Sequence, residues 1–207
     1  MLIRNRGRSP LVHETAYVAP NATLVGQVVV GPRARIMYGA VLDAEGSRVE
    51  VGEACVIAEH AVLRASAVGD EERPVTLGDH VFVGPHATVL GCSVERCCYL
   101  AAQVTVLHGA RLAPGASIAV GALVHARTVV PREFFVPPHT VAIGDPVRVL
   151  SPDQPDEITA AIRATGFAAA AFGVTADWED REARYEAVAD ARVAEFGTHH
   201  HDEVLDL

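Results

Sequence analysis

Lysine is absent from this 207-residue chain, in which all seventeen basic residues are arginines. That absence excludes catalysis through a lysine Schiff base. Aromatic residues are few, at 5%, and no apolar run reaches the roughly 18 residues needed to cross a bilayer. The first ten residues, MLIRNRGRSP, lack the apolar stretch of a secretory signal. The sequence therefore predicts a protein with no membrane partner.

An excess of positive charge is missing as well. Residues 1–150 hold 13 acidic residues and 13 arginines, whereas residues 151–207 hold 13 acidic residues and 4 arginines, so the net charge of −9 lies entirely in the second part. A neutral body with an acidic end offers no basic surface for phosphate backbones or anionic lipids. We therefore expect no nucleic-acid partner.

Cysteine is scarce, and its spacing fits no metal-binding motif. Cys55, Cys92, Cys97 and Cys98 follow neither a zinc-ribbon nor a CxxC pattern. We interpret them as reduced thiols and predict a cytoplasmic protein. Cys55 and Cys98 fall on positions that the repeat described next directs inward.

What the sequence does contain is a six-residue repeat. Aliphatic residues recur at every sixth position, and the spacing resumes after longer gaps at two places and one five-residue step. The positions are Val12, Val18, Leu24, Val30, Ile36, Leu42, Val51, Ile57, Leu63, Leu77, Val83, Val89, Val94, Leu100, Val106, Leu112, Ile118 and Val124. A period of six fits neither an amphipathic helix nor a simple alternating strand. It indicates a parallel β-helix, in which three short strands and three turns form each 18-residue coil and coils stack about 4.8 Å apart.

The repeat defines the predicted domains, a β-helix over 1–150 and an acidic helical segment with a polar tail over 151–207. Residues 66–76 break the register and are predicted to form a loop that includes Gly69 and Pro74. Helices are predicted around 153–172 and 177–196, the second with Asp177 as its N-cap and Gly197 at its end. We expect these helices to pack along the β-helix. The closing THHHDEVLDL is interpreted as a solvated tail, with a metal-binding tract as the alternative.

Several motifs within residues 10–150 resemble the γ-class carbonic anhydrase group of left-handed hexapeptide-repeat proteins: VAPNATLVGQVVVG, YGAVLDAE, LGDHVFVG followed by LGCSV, and AIGDPVRVL. The resemblance implies a left-handed β-helix and a homotrimer. It also implies zinc at the subunit interface, bound by two histidines of one subunit and a third from its neighbour, with a fourth position open for water.

When the family's ligand pattern is aligned with this chain residue by residue, none of the three zinc-ligand positions holds a histidine. They fall on Arg64, Pro85 and Leu90, and His86 lies one residue away from a ligand position. Arginine stays protonated, and proline and leucine side chains have no lone pair to offer. The family's supporting arginine–glycine–aspartate run becomes Asp43-Ala44-Glu45 here. We therefore predict no metal and no resident cofactor, with acyl-CoA as the one cofactor still considered.

The repeat register indicates what surrounds the altered site. Arg64, Leu90, Leu107 and His125 fall in one column, His108 lies beside it above Gly91, and His86 lies on the preceding face. In a trimer of the family type the two faces would meet. The predicted interface pocket is edged by Arg64, His86, His108, Asp43, Glu45 and Glu59, with His125 in its wall. These residues also have plain interpretations: Arg64 in an ion pair with Glu59 or Glu45, His86 in the trimer contact, and His108 and His125 in turns.

Three functions remain open from the sequence. In the first, His86 is the general base of a small-molecule transferase and Arg64 binds an anionic group of the ligand. In the second, the protein is a non-catalytic trimeric scaffold. In the third, carbonic anhydrase activity returns through a rebuilt metal site that uses His86, His108 or the histidines of the tail.

Overall fold

The computed structural model describes residues 1–67, 72–175 and 177–205, and it confirms the left-handed parallel β-helix. Each coil contributes one short strand to each of three sheets, and the coils stack through parallel pairing. Strands are numbered here in chain order. One sheet, the long sheet, has ten strands, and the second and third sheets have seven each within the described residues.

The long sheet contains β1 (Leu2–Arg4), β4 (Thr23–Val25), β7 (Val41–Asp43), β10 (Val62–Arg64), β13 (Thr88–Leu90), β16 (Thr105–Val106), β19 (Leu123–Val124), β22 (Val141–Ile143), β23 (Arg148–Leu150) and β24 (Glu203–Leu205). The second sheet contains β2 (Leu11–Val12), β5 (Val28–Val30), β8 (Val49–Val51), β11 (Val75–Leu77), β14 (Ser93–Val94), β17 (Arg111–Leu112) and β20 (Val129–Val130). The third sheet contains β3 (Tyr17–Val18), β6 (Arg35–Ile36), β9 (Val56–Ile57), β12 (Phe82–Val83), β15 (Tyr99–Leu100), β18 (Ser117–Ile118) and β21 (Phe135–Val136).

The six-residue register predicted from the sequence forms the core. All of its aliphatic positions from Leu24 to Val124 are buried, while Val12 and Val18, in the first coil, are half-buried. The pattern continues through Val130 and Val136. Because each inward aliphatic side chain stacks on its counterparts in the coils above and below, it is removed from water on every side. Cys55 and Cys98 lie inside as predicted, and all four cysteines are free thiols.

The C-terminal segment forms helices α1 (Pro155–Thr165), α2 (Phe167–Phe172) and α3 (Arg181–Phe196), followed by the 3₁₀ turn Gly197–His201. The predicted first helix is divided at Gly166, whose left-handed backbone ends α1. Asp177 as the N-cap of α3 was wrong, because Asp180 accepts the hydrogen bond from Ala183 N. The predicted end of α3 at Gly197 is correct.

The prediction of a solvated tail holds for side chains such as His200, His201 and Val204, which are exposed, but the backbone of the tail is paired. Strand β24 pairs antiparallel with β1 at the first coil, with Leu2 opposite Leu205 and Arg4 opposite Glu203. An edge strand has unpaired backbone groups, and β24 satisfies those of β1. The chain end is therefore anchored to the start of the β-helix.

In the predicted loop, Ser66 and Arg73 form an isolated antiparallel bridge and β11 begins at Val75, whereas Gly69 lies outside the described residues. Within the described residues, no helix is both long and apolar enough to span a bilayer.

Candidate functional site

The long sheet carries the column that the register predicted. Arg64 pairs in register with Asp43 on β7 and with Leu90 on β13, and the same alignment runs on from Val89 through Val106 to Val124. The Arg64 guanidinium donates to Asp43 Oδ2 at 2.9 Å. These residues do not fit the family's zinc ion, because a charged, hydrogen-bonded guanidinium occupies one ligand position and aliphatic side chains occupy the others.

The C-terminal segment covers this column. Phe196, the last residue of α3, lies 4.9 Å from the Arg64 guanidinium carbon, measured to the ring centroid. Asp43 is 3% exposed, and the Arg64 side chain keeps 30% exposure. The buried carboxylate and the aromatic ring hold the Arg64 guanidinium within its own chain, while its buried Nε has no hydrogen-bond partner among the described residues.

Beside Arg64 lies a polar cluster that joins the two parts of the chain. We call Asp43, Glu45 and His199 the carboxylate–histidine cluster, because one donor atom from each lies within 4.8 Å of the others. Asp43 Oδ1 accepts from Glu45 N at 3.1 Å, and Glu45 Oε2 lies 2.9 Å from His199 Nε2. His199 Nδ1 lies 2.9 Å from Asp202 Oδ2. The cluster therefore fastens the 3₁₀ turn to β7 and the residues that follow it.

Burial raises the pKa of the Glu45 carboxyl, whereas the hydrogen bond with His199 lowers it, and the net shift is upward. Burial alone would lower the pKa of His199. Its hydrogen bonds with Asp202 and Glu45 outweigh that effect and raise the pKa above the ordinary value. The two upward shifts have different causes, burial at Glu45 and hydrogen bonds with carboxylates at His199.

His108 and His125 lie further along the β-helix under α2. They are 5% and 3% exposed, and their rings contact Phe172 and Phe167 at centroid distances of 6.2 and 5.4 Å. Burial, with smaller contributions from the charges of Arg73 and Arg192, lowers the pKa of His108 to about 4. Burial also lowers the pKa of His125. Both imidazoles are therefore neutral near pH 7.

A cavity of about 420 Å³ opens at the corner between the long and second sheets. We call it the arginine pocket after Arg73, Arg111 and Arg127, which line it. Arg111 and Arg127 are exposed, and neither has a carboxylate within 4 Å among the described residues. His108 also lines the pocket, together with Glu72 and Asp145. Sequence reasoning missed Arg111 and Arg127, since each is an ordinary exposed residue in its own coil.

His86 and Glu59 lie away from the polar cluster, along the third sheet. His86 is exposed in a turn with φ of +58°, and its ring stacks on that of His60 at 5.2 Å between centroids. Its backbone N–H donates to the Glu59 carbonyl at 3.0 Å. Glu59 lines an open groove of about 700 Å³ on this face with Tyr17, Phe82 and other residues.

The structure therefore separates the sequence-predicted residues into three groups within one chain. Asp43, Glu45 and Arg64 lie together beside the tail. The two buried histidines lie under α2, and His86 with Glu59 lies on the third sheet. Sequence reasoning missed His199 as a partner of the first group, because the only available signal was the histidine tract itself.

Comparison with known proteins supports the sequence resemblance. No protein-family model matches the chain. Mitochondrial γ carbonic anhydrase 1 of Arabidopsis thaliana is 31% identical over 153 residues, which cover 73% of this chain and 54% of that protein. A carbonic anhydrase of Geobacillus kaustophilus is 27% identical over 158 residues, covering 76% of this chain and 81% of that protein.

A solved hexapeptide transferase family protein of Anaplasma phagocytophilum aligns over 92% of this chain and 96% of its own, with 24% identity and a TM-score of 0.37. The chain spans about half the length of the first Arabidopsis relatives that it matches. The chain is therefore similar in sequence to γ-class carbonic anhydrases, and its stacked hexapeptide coils form the left-handed β-helix expected from that resemblance.

Proposed function

We propose that this protein is a non-catalytic homotrimeric scaffold. The observation that carries the proposal is that the chain's own C-terminal segment covers the family's ligand column. Arg64, at the first ligand position, is paired with Asp43 and stacked on Phe196. These contacts hold the guanidinium under the C-terminal segment, which favours a structural role over a transferase that uses Arg64.

The third sheet supports trimer formation through a defined face. Tyr17, Tyr99 and Phe135 lie on β3, β15 and β21 and are 39%, 50% and 57% exposed. The Tyr99 ring stacks on Phe82 at 5.0 Å between centroids, whereas Ser117 separates Tyr99 from Phe135 along the sheet. Exposed apolar patches of this kind mark sites of protein association. The trimer would place His86 at the edge of the contact.

Light scattering coupled to size exclusion tests the assembly, and CO₂ hydration measured with added zinc, cobalt or iron tests the lack of catalysis. We expect a mass three times that of the chain and hydration at the uncatalysed rate. Tyr99→Asp should shift the mass toward the monomer, whereas Leu11→Asp, at a 66% exposed position on β2, should not. A monomeric wild-type protein, or metal-dependent CO₂ hydration, would refute the scaffold proposal.

A second candidate, binding of a small anionic molecule, is favoured by the arginine pocket. A guanidinium group that has no acidic partner can bind a phosphate or carboxylate group through two parallel hydrogen bonds, in bidentate geometry. Arg111 and Arg127 supply two such groups, in a chain whose net charge is −9. Acyl-CoA, which carries several phosphates, belongs to this class of ligand. His108 contributes a neutral ring to the pocket wall.

Calorimetric titration with acetyl-CoA, inorganic phosphate and bicarbonate tests this candidate. We expect saturable binding of one of them that Arg111→Ala combined with Arg127→Ala weakens at least tenfold. Arg132→Ala, at an exposed position that does not line the pocket, is the matched control. Binding that none of these variants changes, or no binding at all, would eliminate the arginine pocket as a site for these ligands.

The four free thiols favour a reducing compartment. We accordingly propose the cytoplasm as the place of action, which labelling of the protein in intact cells would test.

A further inference from the structure

The carboxylate–histidine cluster combines three features that a metal site needs. It contains two carboxylates and an imidazole, all three are at least partly removed from water, and one donor atom from each lies within 4.8 Å of the others. Carboxylate oxygen and imidazole nitrogen are ligand types of zinc, which binds them at about 2.0–2.2 Å and about 2.0–2.1 Å, so the three atoms would draw closer together when the ion binds.

We propose that Asp43, Glu45 and His199 bind one divalent transition-metal ion, zinc in the first instance, which holds the C-terminal segment on the β-helix. The site is distinct from the family's zinc site. Its ligands occupy different sequence positions, and all three come from a single chain.

The buried carboxylate of Glu45 is the second and independent observation. The Glu45 side chain is fully buried, and its Oε1 atom has no hydrogen-bond partner among the described residues. The Arg6 Nη2 atom lies 3.7 Å from Oε1, within ion-pair range but too far for a hydrogen bond. A buried carboxylate oxygen without a donor recovers only part of its desolvation cost from such a pair. A bound cation would remove that cost.

The contacts of His199 match those of a metal-bound histidine. Its Nδ1 lies 2.9 Å from Asp202 Oδ2, and Asp202 Oδ1 accepts from Asn5 Nδ2 at 2.7 Å. Metal-binding histidines are commonly held in this way, by a carboxylate on the far ring nitrogen that fixes the tautomer and ring orientation. With Nδ1 donating to Asp202, a neutral His199 directs the Nε2 lone pair toward Glu45, where a bound metal would replace the proton of the Nε2–Glu45 hydrogen bond.

The neighbouring arginines leave room for a cation. Arg64 uses one Asp43 oxygen and the Glu45 N–H uses the other, and each carboxylate oxygen can accept a second interaction. The Arg6 side chain is 37% exposed and donates to the Glu195 carbonyl at 3.2 Å, so its position does not depend on Glu45 alone. Three protein ligands leave a coordination position for water, and His199, at 30% side-chain exposure, lies on the entry side.

The choice of zinc over calcium or magnesium follows from the ligand set. Calcium takes six to eight oxygen ligands, and magnesium keeps several waters and is bound through oxygen. An imidazole with two carboxylates is suited to zinc, manganese or iron.

The test uses the full-length protein, stripped with EDTA and dialysed. Zinc is then titrated by calorimetry, and metal per chain is measured by mass spectrometry after removal of free metal. We expect one zinc per chain and an increase in the thermal midpoint. Glu45→Gln keeps the shape of the side chain and should weaken zinc binding at least tenfold. His199→Gln should do the same, and Asp202→Asn should weaken binding by about 10- to 100-fold.

His200→Ala is the matched control, because His200 is the exposed neighbour of His199 in the same histidine tract. It should leave zinc binding unchanged. Equal losses in the His199 and His200 variants would show that zinc binds the tract and not the cluster, and would overturn the proposal. So would the absence of zinc binding by the folded wild-type protein. Cobalt provides a further readout, since its visible spectrum in the wild type should change in the Glu45→Gln variant.

Discussion

The β-helix and the C-terminal segment are stabilised in opposite ways. In residues 1–150 each coil buries aliphatic side chains on all three sides, and nearly every inward position has negligible exposure. In the described part of 151–207 the buried residues are Ala161, Ala171 and Arg184 alone. The segment is attached by ion pairs, aromatic contacts, the β24 strand and one small apolar cluster in which Ala161 of α1 packs with Ile143 and Leu150. The β-helix should therefore respond mainly to changes in apolar packing, and the junction at Arg64 and Glu45 to changes in charge.

Val106→Asp should have the largest effect, because it places a charge at a fully buried inward position of β16. An unpaired carboxylate in an apolar core loses its hydration without gaining a partner. We expect a loss of more than about 4 kcal/mol in the free energy of unfolding. Urea unfolding followed by circular dichroism measures it.

The control is Gln103→Asp, in the exposed turn of the same coil. It introduces the same charge and should cost less than about 1 kcal/mol. Similar melting of the two variants would show that the assigned inward register is wrong.

Arg64→Met should have the next largest effect, at the junction of the two regions. It leaves the buried Asp43 carboxylate without its guanidinium partner, and removing one member of a buried pair costs about 3 kcal/mol or more. Arg33→Met breaks the exposed pair with Glu53, in which both side chains are more than 40% accessible, and should cost about 0–1 kcal/mol. Urea midpoints measured side by side compare the two pairs. If both variants lost the same free energy of unfolding, the buried Arg64–Asp43 pair would contribute no more to stability than the exposed Arg33–Glu53 pair.

The same contrast explains what could be predicted from the sequence. The repeat is local, so each inward position, such as Val83 or Ile118, is indicated by neighbours six residues away. The contact between Glu45 and His199 joins residues 154 apart in sequence. It depends on how the helices turn back along the β-helix, and no local pattern encodes that path. The register correctly placed His125 in the column of Arg64, but it contained no information that α2 would cover it.

A smaller effect is expected from pH, acting on His108 beneath α2. The pKa of His108 is about 4 in the folded chain and 6.5 when unperturbed. Between these values the unfolded chain binds a proton that the folded chain does not. The free energy of unfolding therefore falls as pH decreases from 6.5 toward 4, by roughly 3 kcal/mol in total, and this contribution is constant above 6.5.

The groups that act on His108 are Arg73 and Arg192, both cations, so they oppose protonation at every pH in this range. His108→Phe keeps an aromatic ring against Phe172 and removes the titrating group. The free energy of unfolding of the wild type minus that of the variant should decrease as the pH falls from 6.5 to 4. It should not change above pH 6.5. A difference that stays constant across that interval would show that His108 is not held neutral by burial.

The smallest effect is expected at His86, which lies on the third sheet away from the C-terminal segment. Its side chain is exposed, so its removal sacrifices little apolar burial and only one stacking contact, with His60. Its backbone φ of +58° is the more restrictive feature, because alanine adopts this conformation less readily than asparagine. We expect His86→Ala to cost about 1 kcal/mol and His86→Asn to be close to neutral. Urea unfolding under conditions where the oligomeric state is unchanged separates the two. A large loss in both variants would mean that the imidazole itself, and not the turn, stabilises this face.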